Sequence, residues 1–342
     1  MKILAIETSC DETALALVEA SGGLKAPRFR IIKNIVSSQI RVHQPFGGVV
    51  PNLAKREHLK NLPLVFDKIQ KSKNGNLKLD MVAVTAAGPG LEPCLWTGIE
   101  FAKKIHKDYF PDTKLLAASH FEGHLYSFLL SDKTKKIKLK DIFPIVALSV
   151  SGGHTVLVLM KSLTIWKKIG ETRDDAVGEA FDKVARMLGL PYPGGSEIER
   201  IAADGDESAI KFPRPMINAK NYDFSFSGLK TSVLYYLRDN VNYKKEDVAA
   251  SFQEAAIDVL VYKTMRAAKG FGAKSITLAG GVAANKSLRK ALGIESRKLK
   301  TNFFVAPMEF NTDNAAMIAV ASYIQHLRGR RRPLRAKGNL DL

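Results

Sequence analysis

Two stretches of this chain, 142 residues apart, carry the same figure. Residues 3–18 read ILAIETSCDETALALV, and residues 145–160 read IVALSVSGGHTVLVLM. Aligned without a gap, Ile3, Ala5, Ser9, Thr13, Leu15 and Leu17 fall on Ile145, Ala147, Ser151, Thr155, Leu157 and Leu159. Each stretch sets two apolar runs around a polar turn, the pattern of a β-hairpin. A tight turn between core strands would account for either hairpin alone. Coincidence of the polar tip residues as well as the apolar ones points instead to two related halves. Small residues at the tips add a chemical consequence, because a glycine has no Cβ to hold an anion away from backbone N–H groups. Two such tips facing each other could grip one phosphate chain.

The 342 residues suffice for two domains with ample cores, and the basic run 131–140 places the junction before the second hairpin. The expected halves are 1–140 and 141–342, the second ending in a basic tail at 328–342. No apolar run reaches the ~18 residues of a membrane helix. Met1-Lys2 leads directly into strand-like sequence, and Cys10 and Cys94 are too few for a disulfide framework and have no metal-site spacing. Together these features predict a cytosolic protein with no membrane attachment. Lysine and arginine total 52 against 34 acidic residues, a net charge of +18. Clusters at 133–140, 161–168 and 328–337 suit a phosphate backbone, with a solvated basic surface as the alternative reading.

Strand, glycine loop and helix alternate along the rest of the chain, which predicts an α/β protein with mostly parallel strands. Strands are expected at 31–40, 81–85, 115–118, 275–279 and 303–306. Helices are expected from Pro51 to about Ile69, then over 96–106, 174–188, 248–269, 280–292 and 312–327. The PYPGG run 191–195, Phe212-Pro213-Arg214-Pro215 and Phe224-Ser225-Phe226-Ser227-Gly228 read as aperiodic segments able to line a cleft.

A helix capped by Ser119 would place His120 and His124 on one face, four residues apart. Surface or core histidines are the alternative. With Asp313, at the start of a helix after a strand, they would form a two-histidine, one-carboxylate site of the kind that holds Fe(II) or Zn(II). Glu122 lies two residues beyond His120, roughly 200° round the helix, and so points away from that site. This disfavours a metalloprotease, in which the glutamate directly follows the first histidine. Ala279-Gly280-Gly281 between a strand and a helix could seat a nucleotide, with Asn285 in reach of a ribose or base. Glu179 and Asp182 share one helix, facing either a cleft or solvent. No Walker A or G-x-G-x-x-G sequence occurs.

Further motifs join these: Glu7-Thr8-Ser9-Cys10-Asp11-Glu12-Thr13, Gly47-Gly48-Val49-Val50-Pro51, Gly88-Pro89-Gly90-Leu91, His120-x-Glu122-Gly123-His124, Ser151-Gly152-Gly153-His154-Thr155, Gly178-Glu179-Ala180-Phe181-Asp182-Lys183, residues 224–231 and Ala279 through Asn285. In this order the chain, from residue 3 to about 325, resembles the bacterial-type tRNA N6-adenosine threonylcarbamoyltransferases. The resemblance implies a duplicated actin and sugar-kinase-like (ribonuclease H-like) fold, two lobes with a central cleft. It implies transfer of threonylcarbamoyl from threonylcarbamoyl-adenylate to N6 of the adenosine 3′ of the anticodon, in tRNAs reading codons that begin with A. By the family's motifs His120, His124 and Asp313 would bind one divalent metal, Fe2+ first, with Zn2+ or Mg2+ as alternatives. Ser149, Val150, Ser151, Gly152, Gly153, Asp182, Gly195 and Asn285 would contact the adenylate or an adenine nucleotide. Glu199 stands where many members have a contacting aspartate, and Glu92-Pro93-Cys94 where small residues are usual. Implied partners are tRNA, a separate adenylate-forming synthase, a paralogous subunit and a small ATPase. Two other readings are a metal-dependent endopeptidase and an assembly subunit with a degenerate site. Glu12, at the first hairpin tip, is a candidate base.

Overall fold

A computed structural model describes residues 1–71, 77–135 and 137–339. The expected break at 72–76, Lys136 of the basic run and the last three residues of the basic tail lie outside the described residues. The strands are β1 (Lys2–Glu7), β2 (Glu12–Ser21), β3 (Arg28–Ser38), β4 (Met81–Ala87), β5 (Lys114–Ser119), β6 (Ile145–Val150), β7 (Thr155–Met160), β8 (Trp166–Glu171), β9 (Ser275–Ala279) and β10 (Asn302–Val305). The longer helices are α1 (Pro51–Lys71), α2 (Glu92–Tyr109), α3 (His120–Tyr126), α4 (Val177–Met187), α5 (Gly194–Ala202), α6 (Ser227–Asp239), α7 (Lys245–Gly270), α8 (Lys286–Lys298) and α9 (Ala315–Leu327).

The internal repeat is present in the hydrogen-bond register as well as in the sequence. β1 and β2 pair antiparallel from Ile3 opposite Val18 to Glu7 opposite Ala14. β6 and β7 pair from Ile145 opposite Met160 to Ser149 opposite Val156, each pair 142 residues on. The sheets repeat too: one runs β3-β2-β1-β4-β5 and the other β8-β7-β6-β9-β10. In both, the hairpin and third strand are antiparallel, while the last two strands run parallel to the first. These are mixed sheets rather than the mostly parallel ones expected.

Two compact units result: Met1–Lys140 with Ala306–Leu342, and Asp141–Val305. The expected second half, 141–342, is therefore corrected at its end, since residues from Ala306 onward belong with the first unit. The physical reason is α9. Every residue from Ala315 to Gln325 is buried, and the helix packs against β1, β2 and β5. A helix apolar on nearly all sides needs cover all round. The other face of this sheet presents Leu4, Ile6, Val82 and Val84 to Leu62 and Phe66 of α1 and Leu95 and Ile99 of α2. In the second unit Val146, Leu148 and Leu157 join a core with Phe181, Phe252 and Leu260 from α4 and α7.

Several boundaries differ from the sequence expectations. α2 begins at Glu92, not Trp96, because Pro93 fits a first helical turn. The PYPGG loop runs directly into α5, and the segment at 224–228 into α6. Gly281–Ala284 is a short 3₁₀ turn, after which Asn285 caps α8 by accepting from the Leu288 N–H at 2.8 Å. Among the described residues, no helix is long and apolar enough to cross a membrane.

Candidate metal centre and hairpin site

The capped helix expected after β5 forms, with the Ser119 hydroxyl accepting from the Glu122 N–H. His120 and His124 are buried, with ring centroids 4.6 Å apart. Asp313, one residue before the Asn314 cap of α9, joins them: its Oδ1 lies 3.0 Å from His124 Nε2 and 3.5 Å from His120 Nε2. All three ligand atoms lie within 4.8 Å of one another. The cluster can coordinate a divalent metal, and two imidazoles with one carboxylate suit iron or zinc better than the all-oxygen preference of magnesium.

Behind His120 stands Glu7, which the sequence reading did not single out. Its fully buried carboxylate accepts from the Ser9 N–H at 2.5 Å and the Thr85 hydroxyl at 2.6 Å, and lies 3.2 Å from His120 Nδ1. That network assigns a proton to Nδ1 and turns Nε2 toward Asp313, the support a metal-ligating histidine commonly receives. His124 has no such support: its Nδ1 is buried without a hydrogen-bond partner. Burial opposes charge on His120, but the Asp313 and Glu7 carboxylates prevail and lift its pKa to about 9. Burial likewise opposes the Asp313 carboxylate, yet His120 and His124 bring it down to about 2. Glu122 faces the other way, as expected, 3.2 Å from Arg332 Nη2 and 3.8 Å from Arg328 Nη1.

The first hairpin tip is acidic. Burial, then Asp11 and Asp313, raise Glu12 well above the carboxylate range, and burial with Asp11 keeps Cys10 a thiol. A buried relay that sequence reading missed braces this tip. His58 Nε2 donates to the Cys10 carbonyl at 2.9 Å, while its Nδ1 accepts from the Thr13 hydroxyl at 2.8 Å and from Gln39. His43 Nε2 in turn donates to Gln39 Oε1 at 3.1 Å. The His58 ring, with one nitrogen donating and the other accepting, is neutral, and burial lowers its pKa.

In the second unit, Ser149 and Val150 end β6 and are buried; Ser151 Oγ accepts from the N–H groups of Gly153 and His154, at 3.3 and 3.1 Å. Gly152 and Gly153 are exposed. The N-terminus of α4 abuts this tip: Thr155 Oγ1 accepts from the Val177 N–H at 2.9 Å, and the Gly178 N–H donates to the Ser151 carbonyl. A Cβ on Gly178 would sit 2.6 Å from that carbonyl oxygen, so only glycine permits the approach. A hairpin tip against a helix N-terminus is a favourable place for an anion.

Three of the polar residues expected around an adenylate serve helix N-termini. Asp182 accepts from the Gly194 N–H of α5 at 2.8 Å, Glu199 from the Lys286 N–H of α8, and Asn285 caps α8 while donating to Gln253. Gly195 follows in the first turn of α5, with open space where a side chain would stand. Two further aspartates escaped the sequence reading. Asp174 accepts from the Phe226 and Ser227 N–H groups and from the Ser225 and Ser227 hydroxyls, and Asp175 pairs with Lys183 and Lys230. They hold the 224–230 segment that sequence reading left as an open lining.

Residues 30–320 match the family signature described as tRNA N6-adenosine threonylcarbamoyltransferase. The chain belongs to that family. Similar proteins of the same description include those of Thermosipho africanus, 46% identical over 96% of both chains, and Thermosipho melanesiensis, 48% identical over 94% of both. One from Bacillus cereus is 45% identical over 99% of this chain and 96% of its own. The threonylcarbamoyltransferase reaction, transfer of threonylcarbamoyl to N6 of adenosine 37 in tRNA, is accordingly its general activity. Among solved structures, full-length HypF in its phosphate- and nucleotide-bound form aligns with TM-score 0.60 and 12% identity, covering 98% of this chain and 47% of that one. The activator of 2-hydroxyisocaproyl-CoA dehydratase from Clostridium difficile, with bound ADPNP, aligns with TM-score 0.51 and 13% identity over 96% of each. These likenesses show the fold, a duplicated α/β architecture of the actin-like kind.

Proposed function

We propose that the chain takes threonylcarbamoyl from threonylcarbamoyl-adenylate, with His120, His124 and Asp313 holding ferrous iron. The buried cluster pinned by Glu7 carries this reading. A bound divalent metal would supply Lewis-acid polarisation and orientation of the donor's oxygens. In the transfer, the N6 amine attacks the carbamoyl carbon, the bond to the adenylate phosphate oxygen breaks, AMP departs and the N6 proton passes to a base. Glu12, at the tip of the first hairpin, is the candidate for that base. The Gly152-Gly153 tip and the α4 N-terminus would meet the adenylate phosphate, with Ser149, Val150, Ser151, Asp182, Gly195, Glu199 and Asn285 lining its site. A separate synthase would deliver the adenylate, and a paralogous subunit and a small ATPase would complete a cytosolic assembly. The test is reconstitution with those partners, threonine, bicarbonate, ATP and unmodified tRNA; adenosine left unmodified sinks the reading. Glu122, committed to two arginines, is a poor general base for the endopeptidase alternative.

A metal must displace the His120 proton, so metal affinity is expected to rise about tenfold per pH unit from pH 6 to 8 and level off near 9. Calorimetry at pH 7 in buffers of different ionisation enthalpy should show release of about one proton, and a pH-independent affinity would exclude the arrangement. At the second hairpin, a Cβ on Gly152 meets nothing within 4 Å, so Gly152→Ala should fold normally. It should weaken binding of an adenylate analogue about tenfold, by holding the phosphate off the tip, while Cys10→Ala changes it less than about twofold. Equal losses in the two variants would remove the assignment of phosphate gripping to the second hairpin.

A further inference from the structure

The basic end of the chain is not a loose tail. Gly329, at φ +64°, turns the backbone after α9, and the Arg330 N–H returns to the Gln325 carbonyl at 3.2 Å. Further on, Ala336 is buried in the first unit's core, and Lys337 bridges Ala87 in parallel. The Gly88 N–H donates to the Lys337 carbonyl at 2.7 Å, and the Gly90 N–H to that of Gly338 at 2.9 Å. Residues 328–338 therefore form a strap fixed at both ends.

Under its first turn lies a cavity of about 270 Å3, lined by Glu122, Gln325, Arg328, Arg330, Arg331 and Arg332. Four arginines and one glutamate line it, and Arg328 and Arg332 pair with that carboxylate. The Arg328 side chain is only 9% exposed and Glu122 6%. A concave surface with four positive charges to one negative favours a bound anion. Gln325 adds a second signal: it is 4% exposed, and its Oε1 has no hydrogen-bond partner. An acceptor left unmade in a cationic pocket calls for a ligand that brings both negative charge and a donor. A ribose phosphate offers both, through its phosphate oxygens and its 2′-hydroxyl.

We infer that this pocket is a binding site for the sugar-phosphate backbone of the RNA substrate, on the face of the metal-bearing helix opposite His120 and His124. Glu122 orients Arg328 and Arg332 from below, and the exposed Arg330 and Arg331 close on the phosphate. This rests on tRNA being the substrate.

The test uses the full chain and unmodified tRNA, with binding followed across a salt series. Arg330→Ala combined with Arg331→Ala is expected to weaken tRNA binding about tenfold and to lower the slope of log affinity against log salt by about two. Metal content and thermal midpoint should match wild type, because both side chains are exposed. The double lysine variant should keep most of the affinity, since it keeps the charge. Equal loss in the lysine and alanine variants would mean a packing role and overturn the assignment, as would unchanged affinity and slope in the alanine variant. A separate arm titrates inorganic phosphate at constant ionic strength. Phosphate binding that disappears in the alanine variant while tRNA affinity stays the same would reassign the pocket to a free anion and overturn the RNA assignment. If wild type transfers the group to tRNA and the variants behave like it, the pocket alone is wrong. If wild type transfers nothing to tRNA, the functional reading fails first, and this inference with it.

Discussion

Asp313→Ala is expected to purify as a folded chain that binds divalent metal at least about 100-fold more weakly and transfers threonylcarbamoyl about 10²–10³-fold more slowly. Asp313 is the one carboxylate of the cluster, and its Oδ1 stands between the two Nε2 atoms. Its removal leaves two neutral donors, too few for a hard or borderline dication, and takes away the charge that raises the His120 pKa. Glu7→Gln should act more mildly, as a positioning change. The amide oxygen can still accept from the Ser9 N–H, but the NH2 group then stands where an oxygen met the Thr85 hydroxyl and His120 Nδ1; the charge behind His120 is gone, and metal affinity should drop about 10–100-fold. Elemental analysis after dialysis against a graded chelator reads both variants. Full metal retention in Asp313→Ala would remove that residue from the site.

Gly280→Ala is expected to cost about 3 kcal/mol or more and to lower the unfolding midpoint by about 6–12 °C. Gly280 has φ +88° and ψ 168°, a region that only glycine occupies comfortably. A Cβ there would sit 2.3 Å from the carbonyl oxygen of Val150, at the base of the second hairpin tip. Neither backbone can yield, since Val150 is paired with Thr155 and fully buried. Gly281→Ala is the control: its Cβ meets nothing within 4 Å, so its midpoint should stay within about 1 °C of wild type. Scanning calorimetry separates the two, and equal midpoints would mean that the contact at Gly280 relaxes without cost.

The repeat was legible because apolar alternation and polar tips are both properties of short stretches, and the matching registers of the two hairpins follow from them. The His120–His124 pair was legible for a similar local reason, a serine cap followed by helical spacing. Asp313 was reachable only by topology, as a carboxylate between a strand and a helix. Glu7 was not singled out because it closes an apolar strand, where a charge reads as the exposed end; its burial depends on Thr85 and His120, which are distant in sequence. The aspartates at 174 and 175 were missed for the opposite reason. They sit beside a helix and look like ordinary solvated charge, whereas the segment they hold, from Ser225 to Lys230, lies more than fifty residues on. The placement of α9 in the first unit could not be read from chain order at all; it depends on which sheet face is left uncovered.

That placement has a consequence during synthesis. Asp313 is 189 residues beyond His124, and the whole of the second unit is translated between them. At ordinary elongation rates this is about 10–40 s during which His120 and His124 are made and Asp313 is not. The sheet that α9 covers waits equally long for its lid. A nascent chain therefore holds His120 and His124 without the carboxylate that stands between them, and the buried cluster can close only after the second unit has been made.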